Sequence, residues 1–188
     1  MPIVISGPSG VGKDTIVEHL LEADPRLRYS VSYTTRAPRD YEVEGEHYSF
    51  LSREEFERMH LEGELLESAT YGDNRYGTSR RRVEQLLDAG SDVILKIEVQ
   101  GADQVRQRIP DGLFIFVAPP DMEELARRRH NRGSETAGES AQRQAIAEHE
   151  MSFAGRYDKV VVNDDLERVV AEILGVIRSE RAHRSEAG

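Results

Sequence analysis

Apolar positions along this chain fall into two kinds of run. Short unbroken runs at residues 3–6 (IVIS), within 92–99 (VILKI) and at 113–117 (LFIFV) predict strands buried on both faces. Longer stretches repeat at helical spacing, as Ile16, Val17, Leu20 and Leu21 do within 14–23. Helices are likewise expected over 53–62, 79–89 and 121–131, then up to about residue 151, and over 166–178. Ser52 with Glu55 three residues on has the form of a capping box, and Gly90 stands where the helix over 79–89 should stop. Further strands are expected over 29–33, 64–71 and 159–162, with turns at 34–47, 72–74 and 133–138. The polar tail after residue 178 is expected to fray.

Strands alternating with helices predict an α/β fold, a parallel sheet with helices on both faces. At 188 residues the chain is expected to form a single domain over 1–188, without internal repeats. The rhythm breaks over 32–78, which reads as an inserted small subdomain, and arginines on a helix and loop over 121–145 read as a lid. The core would then be residues 1–31, 79–120 and 146–188.

Composition narrows the chemistry. There are no cysteines, which excludes disulfides, cysteine-ligated zinc and thiol catalysis. A formal net charge of −10 disfavours nucleic acid as a partner, because binding it requires phosphates to be neutralised. No apolar run is long enough to span a bilayer, and the opening MPIVISGPSG lacks a basic region and a long apolar core. A soluble, cytoplasmic protein is therefore expected. The 25 basic residues include only three lysines, Lys13, Lys96 and Lys159. In a chain this rich in arginine, a lysine draws notice for its compact point charge.

Lys13 ends the run Gly7, Pro8, Ser9, Gly10, Val11, Gly12, Lys13, between an expected strand and an expected helix. Glycines let successive backbone N–H groups curl around phosphate oxygens, and the helix N-terminus adds its positive dipole end. The pattern asks for Ser or Thr after the lysine, where a hydroxyl meets Mg²⁺. Asp14 stands there instead, followed by Thr15. A carboxylate is a good hard ligand, so Asp14 is the candidate for holding Mg²⁺. The bland alternative is a glycine-rich turn with an ordinary lysine.

In the insertion, Arg36 and Arg39 flank Pro38 and have the forked donors to grip a phosphate. Glu67, Tyr48, Tyr71, Tyr76 and Thr78 add carboxylate and hydroxyl groups. A carboxylate reads a purine edge only where that edge carries N–H donors, as guanine does. Taken singly, the arginines could be solvated loop residues and the tyrosines core or rim.

Together, IVISGPSGVGK, SVSYTTRAPR, GEHYSF, YGTS, VILKIEVQG, FIFVAPP, RGSET and VVVNDDL resemble guanylate kinase, in order and over nearly the whole chain. The resemblance implies a P-loop core, a GMP-binding insertion, a lid, and the reaction ATP + GMP ⇌ ADP + GDP with Mg²⁺. It assigns ATP to Gly7 through Thr15 and to Asn163, and GMP to Ser32, Arg36, Arg39, Tyr48, Glu67, Tyr76, Thr78 and Glu98. Arg36, Arg39, Tyr48 and Tyr76 would hold the phosphate; Ser32, Glu67, Thr78 and Glu98 would face the base. Lys13, Arg39, Arg128, Arg132 and Arg143 would be the catalytic cations. Not all of Arg127–Arg129 can point inward from one helix, and only Arg128 is carried.

The chain departs from the family at two positions. Asp14 replaces a hydroxyl, and Lys96 replaces an acidic residue just upstream of Glu98. The expectation is an ion pair between Asp14 and Lys96, or a relocated Mg²⁺ ligand. Two other functions stay open at this point: a P-loop kinase of another small phosphate, such as a ribose bisphosphate, and a catalytically silent binding module.

Overall fold

The computed structural model of the chain describes residues 1–130 and 137–187; for 129–130, 137–143 and 187 it describes the backbone alone. In chain order the elements are β1 (Pro2–Ser6), α1 (Lys13–Ala23), β2 (Leu27–Tyr29), β3 (Tyr33–Thr34), β4 (Ser49–Phe50), α2 (Arg53–Leu61), β5 (Leu65–Tyr71), β6 (Asn74–Ser79) and α3 (Arg80–Asp88). Then follow β7 (Asp92–Lys96), α4 (Val99–Arg108), β8 (Leu113–Ala118), α5 (Met122–His130), α6 (Ala137–Met151), a 3₁₀ turn at Ala154–Arg156, β9 (Lys159–Val162) and α7 (Leu166–Ala187). A five-stranded parallel sheet runs in the order β2-β7-β1-β8-β9, and a four-stranded sheet in the order β4-β3-β6-β5. Among the described residues, no helix is long and apolar enough to cross a membrane.

The chain divides into two compact units, Met1–Val4 with Pro25–Gly112, and Ile5–Asp24 with Leu113–Gly188. In the first, β2 lies parallel to β7, with Tyr29 opposite Ile94. Val93, Ile94 and Leu95 are fully buried, as an unbroken apolar run in a covered parallel strand should be. The small sheet is mixed: β3 pairs with β4 in parallel and with β6 antiparallel, and β5 and β6 form an antiparallel hairpin. Phe56 of α2 is fully buried. The helix is started by a complete capping box, in which the Ser52 hydroxyl accepts from the Glu55 N–H at 3.1 Å and the Glu55 carboxylate accepts from the Ser52 N–H at 2.8 Å.

In the second unit β8 and β9 pair in parallel, from Ile115 opposite Lys159 to Ala118 opposite Val162. All six residues of β8 are buried. The Asp158 carboxylate accepts from the Phe114 N–H at 2.7 Å, fixing the turn into β9.

Three sequence expectations are corrected. The strand expected over 29–33 is two strands, β2 and β3, in different sheets. The strand expected over 92–99 ends at Lys96, because Glu98 takes the extended N-cap conformation and Val99 opens α4. That helix was hidden by Gly101, a poor helix former, although Val99, Ala102 and Val105 bury one side of it. Strand β4 and most of β6 lie in stretches for which the sequence predicted no element. The tail does not fray at 178: α7 continues to Ala187, with Ile177 fully buried and the Arg181 guanidinium 2.5 Å from the Asp24 carboxylate. The loop expected over 133–138 falls mainly outside the described residues.

One close approach governs the second unit. Gly7 has φ +140°, and a Cβ there would overlap the carbonyl oxygen of Val117 in β8. Gly7→Ala should destabilise the fold by about 3–5 kcal/mol, read from the denaturant midpoint. Gly175→Ala, on α7 with open space around it, should instead stabilise it by about 0.5–1 kcal/mol. Equal effects of the two substitutions would show that backbone approach at Gly7 does not constrain the fold.

Candidate active site

In the second unit, the loop from Gly7 to Gly12 leads from the end of β1 into α1, whose first residue is Lys13. Gly7, Gly10 and Gly12 all have positive φ, the conformation that turns consecutive N–H groups toward one point. The Lys13 ammonium folds back to donate to the carbonyl oxygens of Gly7 at 2.5 Å and Pro8 at 3.1 Å. Val11 is fully buried, and its carbonyl oxygen accepts from Asn163 Nδ2 at 2.7 Å and Arg128 Nη1 at 3.3 Å. Arg128 also donates to the Asn163 carbonyl at 3.1 Å and to Glu124 at 2.7 Å. Arg127, by contrast, stays on the exposed side of α5, paired with Glu124. Gly10, Gly12, Thr15, Arg128, Asn163, Asp164 and Leu166 line a cleft of about 460 Å³, within the size range of small-ligand sites. Asp14 lies in the first turn of α1, where a negative charge is favoured by the helix dipole.

The first unit gathers a different set. The Arg36 guanidinium makes a two-pronged contact with Glu42, 2.8 Å on each side. Glu42 holds the guanidinium more firmly protonated than usual, and Arg36 in turn lowers the Glu42 carboxyl below the ordinary range. Arg36 also lies 5.3 Å from the ring centroid of Tyr48, which meets the Tyr76 ring edge-on at 6.0 Å. Arg39 is held differently: its backbone N–H donates to Glu42, and its guanidinium donates to the Tyr41 hydroxyl at 2.8 Å.

On the hairpin, Glu67 and Thr78 are directly opposed across β5 and β6, and the Thr78 hydroxyl donates to the Glu67 carboxylate at 2.6 Å. Glu67 is only 4% exposed. It fits because α4 presents Gly101 there; a Cβ at that position would overlap the carboxylate. Burial, reinforced by the negative Glu98, pushes the Glu67 carboxyl up from 4.5 to about 7, against the opposing pull of the Thr78 hydrogen bond. Glu98 caps α4 by backbone conformation without its side chain bonding the helix amides. Ser32 is buried, at the entry to β3.

The structure thus brings together Arg36, Tyr48 and Tyr76, and separately Glu67, Thr78 and Glu98, all within the first unit. Lys13, Arg128 and Asn163 meet around the glycine loop in the second. Arg132 and the side chain of Arg143 lie outside the described residues. Sequence reasoning did not single out Gly101 or Glu124 as parts of these clusters, and it placed Glu42 in an acidic turn without pairing it to Arg36. Glu42 had a local signal, an acidic residue six positions after an arginine in a turn-rich segment. Gly101 had none, since its role depends on a strand far away in sequence.

A strand, a glycine loop with positive φ and a helix opening on lysine, set in a parallel sheet, define a P-loop phosphotransferase fold. The guanylate kinase family model matches residues 1–180, and the chain belongs to the guanylate kinase family. It is 49% identical over 179 residues to a guanylate kinase of Desulfitobacterium hafniense, covering 95% of this chain and 90% of that one. It is 50% identical over 176 residues to a guanylate kinase of Rubrobacter xylanophilus, covering 94% and 92%. The crystal structure of guanylate kinase from Anaplasma phagocytophilum superposes with a TM-score of 0.80 at 36% identity, over 96% of this chain and 85% of that one. A gluconokinase from Sinorhizobium meliloti, 18% identical with a TM-score of 0.52, shares the fold alone. The chain is therefore an enzyme, a nucleoside monophosphate kinase of this family.

The state of Glu67 makes stability depend on pH. Between pH 4.5 and about 7 the folded chain keeps a proton that the unfolded chain has lost, so stability falls as pH rises through that window and levels off above it. Glu67→Gln removes this slope. From pH 4.5 to 7.5 the variant should gain up to roughly 3 kcal/mol of unfolding free energy relative to the parent. Parallel pH profiles for the two proteins would rule out a raised Glu67.

Proposed function

We propose that this chain transfers the γ-phosphoryl group of ATP to GMP, giving ADP and GDP, with the donor on the glycine loop and the acceptor on the 32–78 segment. The observation that carries the reading is the pairing, in one small sheet, of an arginine–tyrosine cluster with a buried carboxylate. The first matches a phosphate; the second matches a base edge with N–H donors. In this reading Arg36, Arg39, Tyr48 and Tyr76 hold the GMP phosphate, and Ser32, Glu67, Thr78 and Glu98 face guanine. The loop from Gly7 to Gly12, with Lys13, Asp14 and Thr15, holds the ATP phosphates, and Asn163 lies beside adenine. The division into a core, an insertion over 32–78 and a lid over 121–145 belongs to the same reading, as does work on free nucleotides in the cytoplasm.

Phosphoryl transfer has a loose transition state with charge spread over equatorial oxygens, so its catalysis is mainly positioning and electrostatic stabilisation. A GMP phosphate oxygen is already a nucleophile near neutral pH, and no side chain needs to act as a base. Lys13 has three N–H donors and now donates to two loop carbonyls; redirected to phosphate, its donors form charge-assisted bonds. Arg128, braced by Glu124 and the Val11 carbonyl, holds a second positive charge beside the loop; Arg132 and Arg143 complete the set. Asp14 offers the hard oxygen that Mg²⁺ takes alongside phosphate oxygens, and it would hold the ion. When bound, Mg²⁺ supplies charge neutralisation at the triphosphate.

The test is a coupled assay with ATP and Mg²⁺ across GMP, dGMP, AMP, UMP and ribose bisphosphate. GMP should exceed AMP by about 10⁴-fold in kcat/KM, because adenine would leave the buried Glu67 carboxylate without donors. Comparable values for AMP and GMP would overturn the assignment of the base site. Arg39→Ala should weaken GMP binding by about tenfold or more, near 1.4 kcal/mol, and leave ATP unchanged. An equal loss for both nucleotides would place Arg39 outside the acceptor site.

A further inference from the structure

Strand β5 comes last in the small sheet, and among the described residues no further strand lies on its outer side. Helix α4 supplies hydrogen-bond partners there from its side chains. The Gln104 amide makes a double link with the Ser68 backbone: Oε1 accepts from the Ser68 N–H at 3.2 Å, and Nε2 donates to the Ser68 carbonyl at 2.7 Å. A paired residue on a neighbouring strand would exchange the same two bonds. The Arg108 guanidinium donates from Nη1 to two successive carbonyls, that of Leu65 at 3.1 Å and that of Leu66. Gly101, Gln104 and Arg108 are spaced three and four residues apart, which sets them on one face of α4.

Glu67 lies between these two points of attachment, where the strand is irregular. Leu65 is opposite Ser79 and Glu67 opposite Thr78, so Leu66 is an extra residue, a β-bulge. Leu65, Leu66 and Glu67 are buried in succession, where a regular strand would alternate. Losing the bulge is a one-residue slip of register, which turns a side chain to the other face of its strand. Arg108 holds the carbonyls of the bulge, and Gln104 holds the residue that follows Glu67.

We propose that Gln104 and Arg108 are positioning residues for the Glu67 carboxylate, fixing the backbone on both sides of it so that it meets the base of the acceptor nucleotide. The inference rests on the reading of Glu67 as a guanine-facing group. Neither residue needs to touch the nucleotide, since both act through main-chain atoms of β5. A polar group selects a substrate only when its own support holds it in place. The same face of α4 thus gives Glu67 its space, at Gly101, and its aim, at Gln104 and Arg108.

The test uses the full chain and calorimetric binding of GMP and ATP, with kcat measured at saturating substrates. The variants are Gln104→Met, Arg108→Met, Arg108→Lys, Glu67→Ala and the double variant Gln104→Met with Glu67→Ala, each checked for cooperative unfolding. Gln104→Met keeps the length of the side chain and removes both of its hydrogen bonds. It should raise the Kd for GMP about 3- to 30-fold, with kcat and the Kd for ATP within about twofold of the parent. Arg108→Met should act in the same direction, and Arg108→Lys, whose ammonium also has donors for two carbonyls, should restore most of the affinity. On the Glu67→Ala background, Gln104→Met should add less than about twofold, because the group it positions is gone. An unchanged Kd for GMP in Gln104→Met, an equal loss for ATP, or an undiminished Gln104→Met effect on the Glu67→Ala background would each overturn the proposal. Where Arg108→Met does not fold, Gln104→Met and the double variant decide. If Glu67→Ala weakens GMP and Gln104→Met does not, this inference alone falls. If Glu67→Ala leaves GMP binding unchanged, the reading of the base site falls with it.

Discussion

The second unit is organised around backbone that has no side chain to keep it away. At Gly7 the chain leaves β1 and lies against the Val117 carbonyl of β8, a contact that any Cβ would break. From there the loop must turn with positive φ at Gly10 and Gly12 before α1 can begin. The buried Val11 carbonyl then becomes an anchor that Asn163 and Arg128 reach from β9's end and from α5. Elements distant in sequence are thus tied to the loop through main-chain oxygens.

The first unit obeys a different constraint, the cost of putting a carboxylate where water is scarce. Glu67 meets it in two ways: it accepts from the Thr78 hydroxyl, and its carboxyl is pushed up toward neutrality. The space comes from the absence of a side chain at Gly101. A helix residue, a hairpin register and a proton equilibrium are therefore parts of one arrangement. Replacing any of them changes the other two.

The glycine loop was legible because its residues are contiguous and its geometry is local: positive φ needs glycine, and the helix start needs no distant partner. The capping box of α2 was legible for the same reason. What escaped was non-local. Helix α4 carries Gly101 for the sake of Glu67, thirty-four positions away, and that glycine weakened the helical pattern. Strands β3 and β4 have only two residues each, so pairing, not periodicity, defines them. The tail holds as a helix because Arg181 finds Asp24, an ion pair that no pattern within the last turns of the chain could announce. Arg36, Tyr48 and Tyr76 were readable as residue types; their meeting on one ring was not.

The strong preference for arginine over lysine has a consequence in covalent chemistry. Acylating and carbamylating reagents attack uncharged amines and spare guanidinium groups, which stay protonated at any physiological pH. The chain offers such reagents three lysine side chains, one of them paired with Glu172 on the outer strand β9. The other two are Lys13, folded onto the glycine loop, and Lys96, set between two tyrosine rings. Lysine-directed modification of side chains in this protein is therefore restricted to three positions, whereas the arginine-rich remainder of the surface stays inert to it.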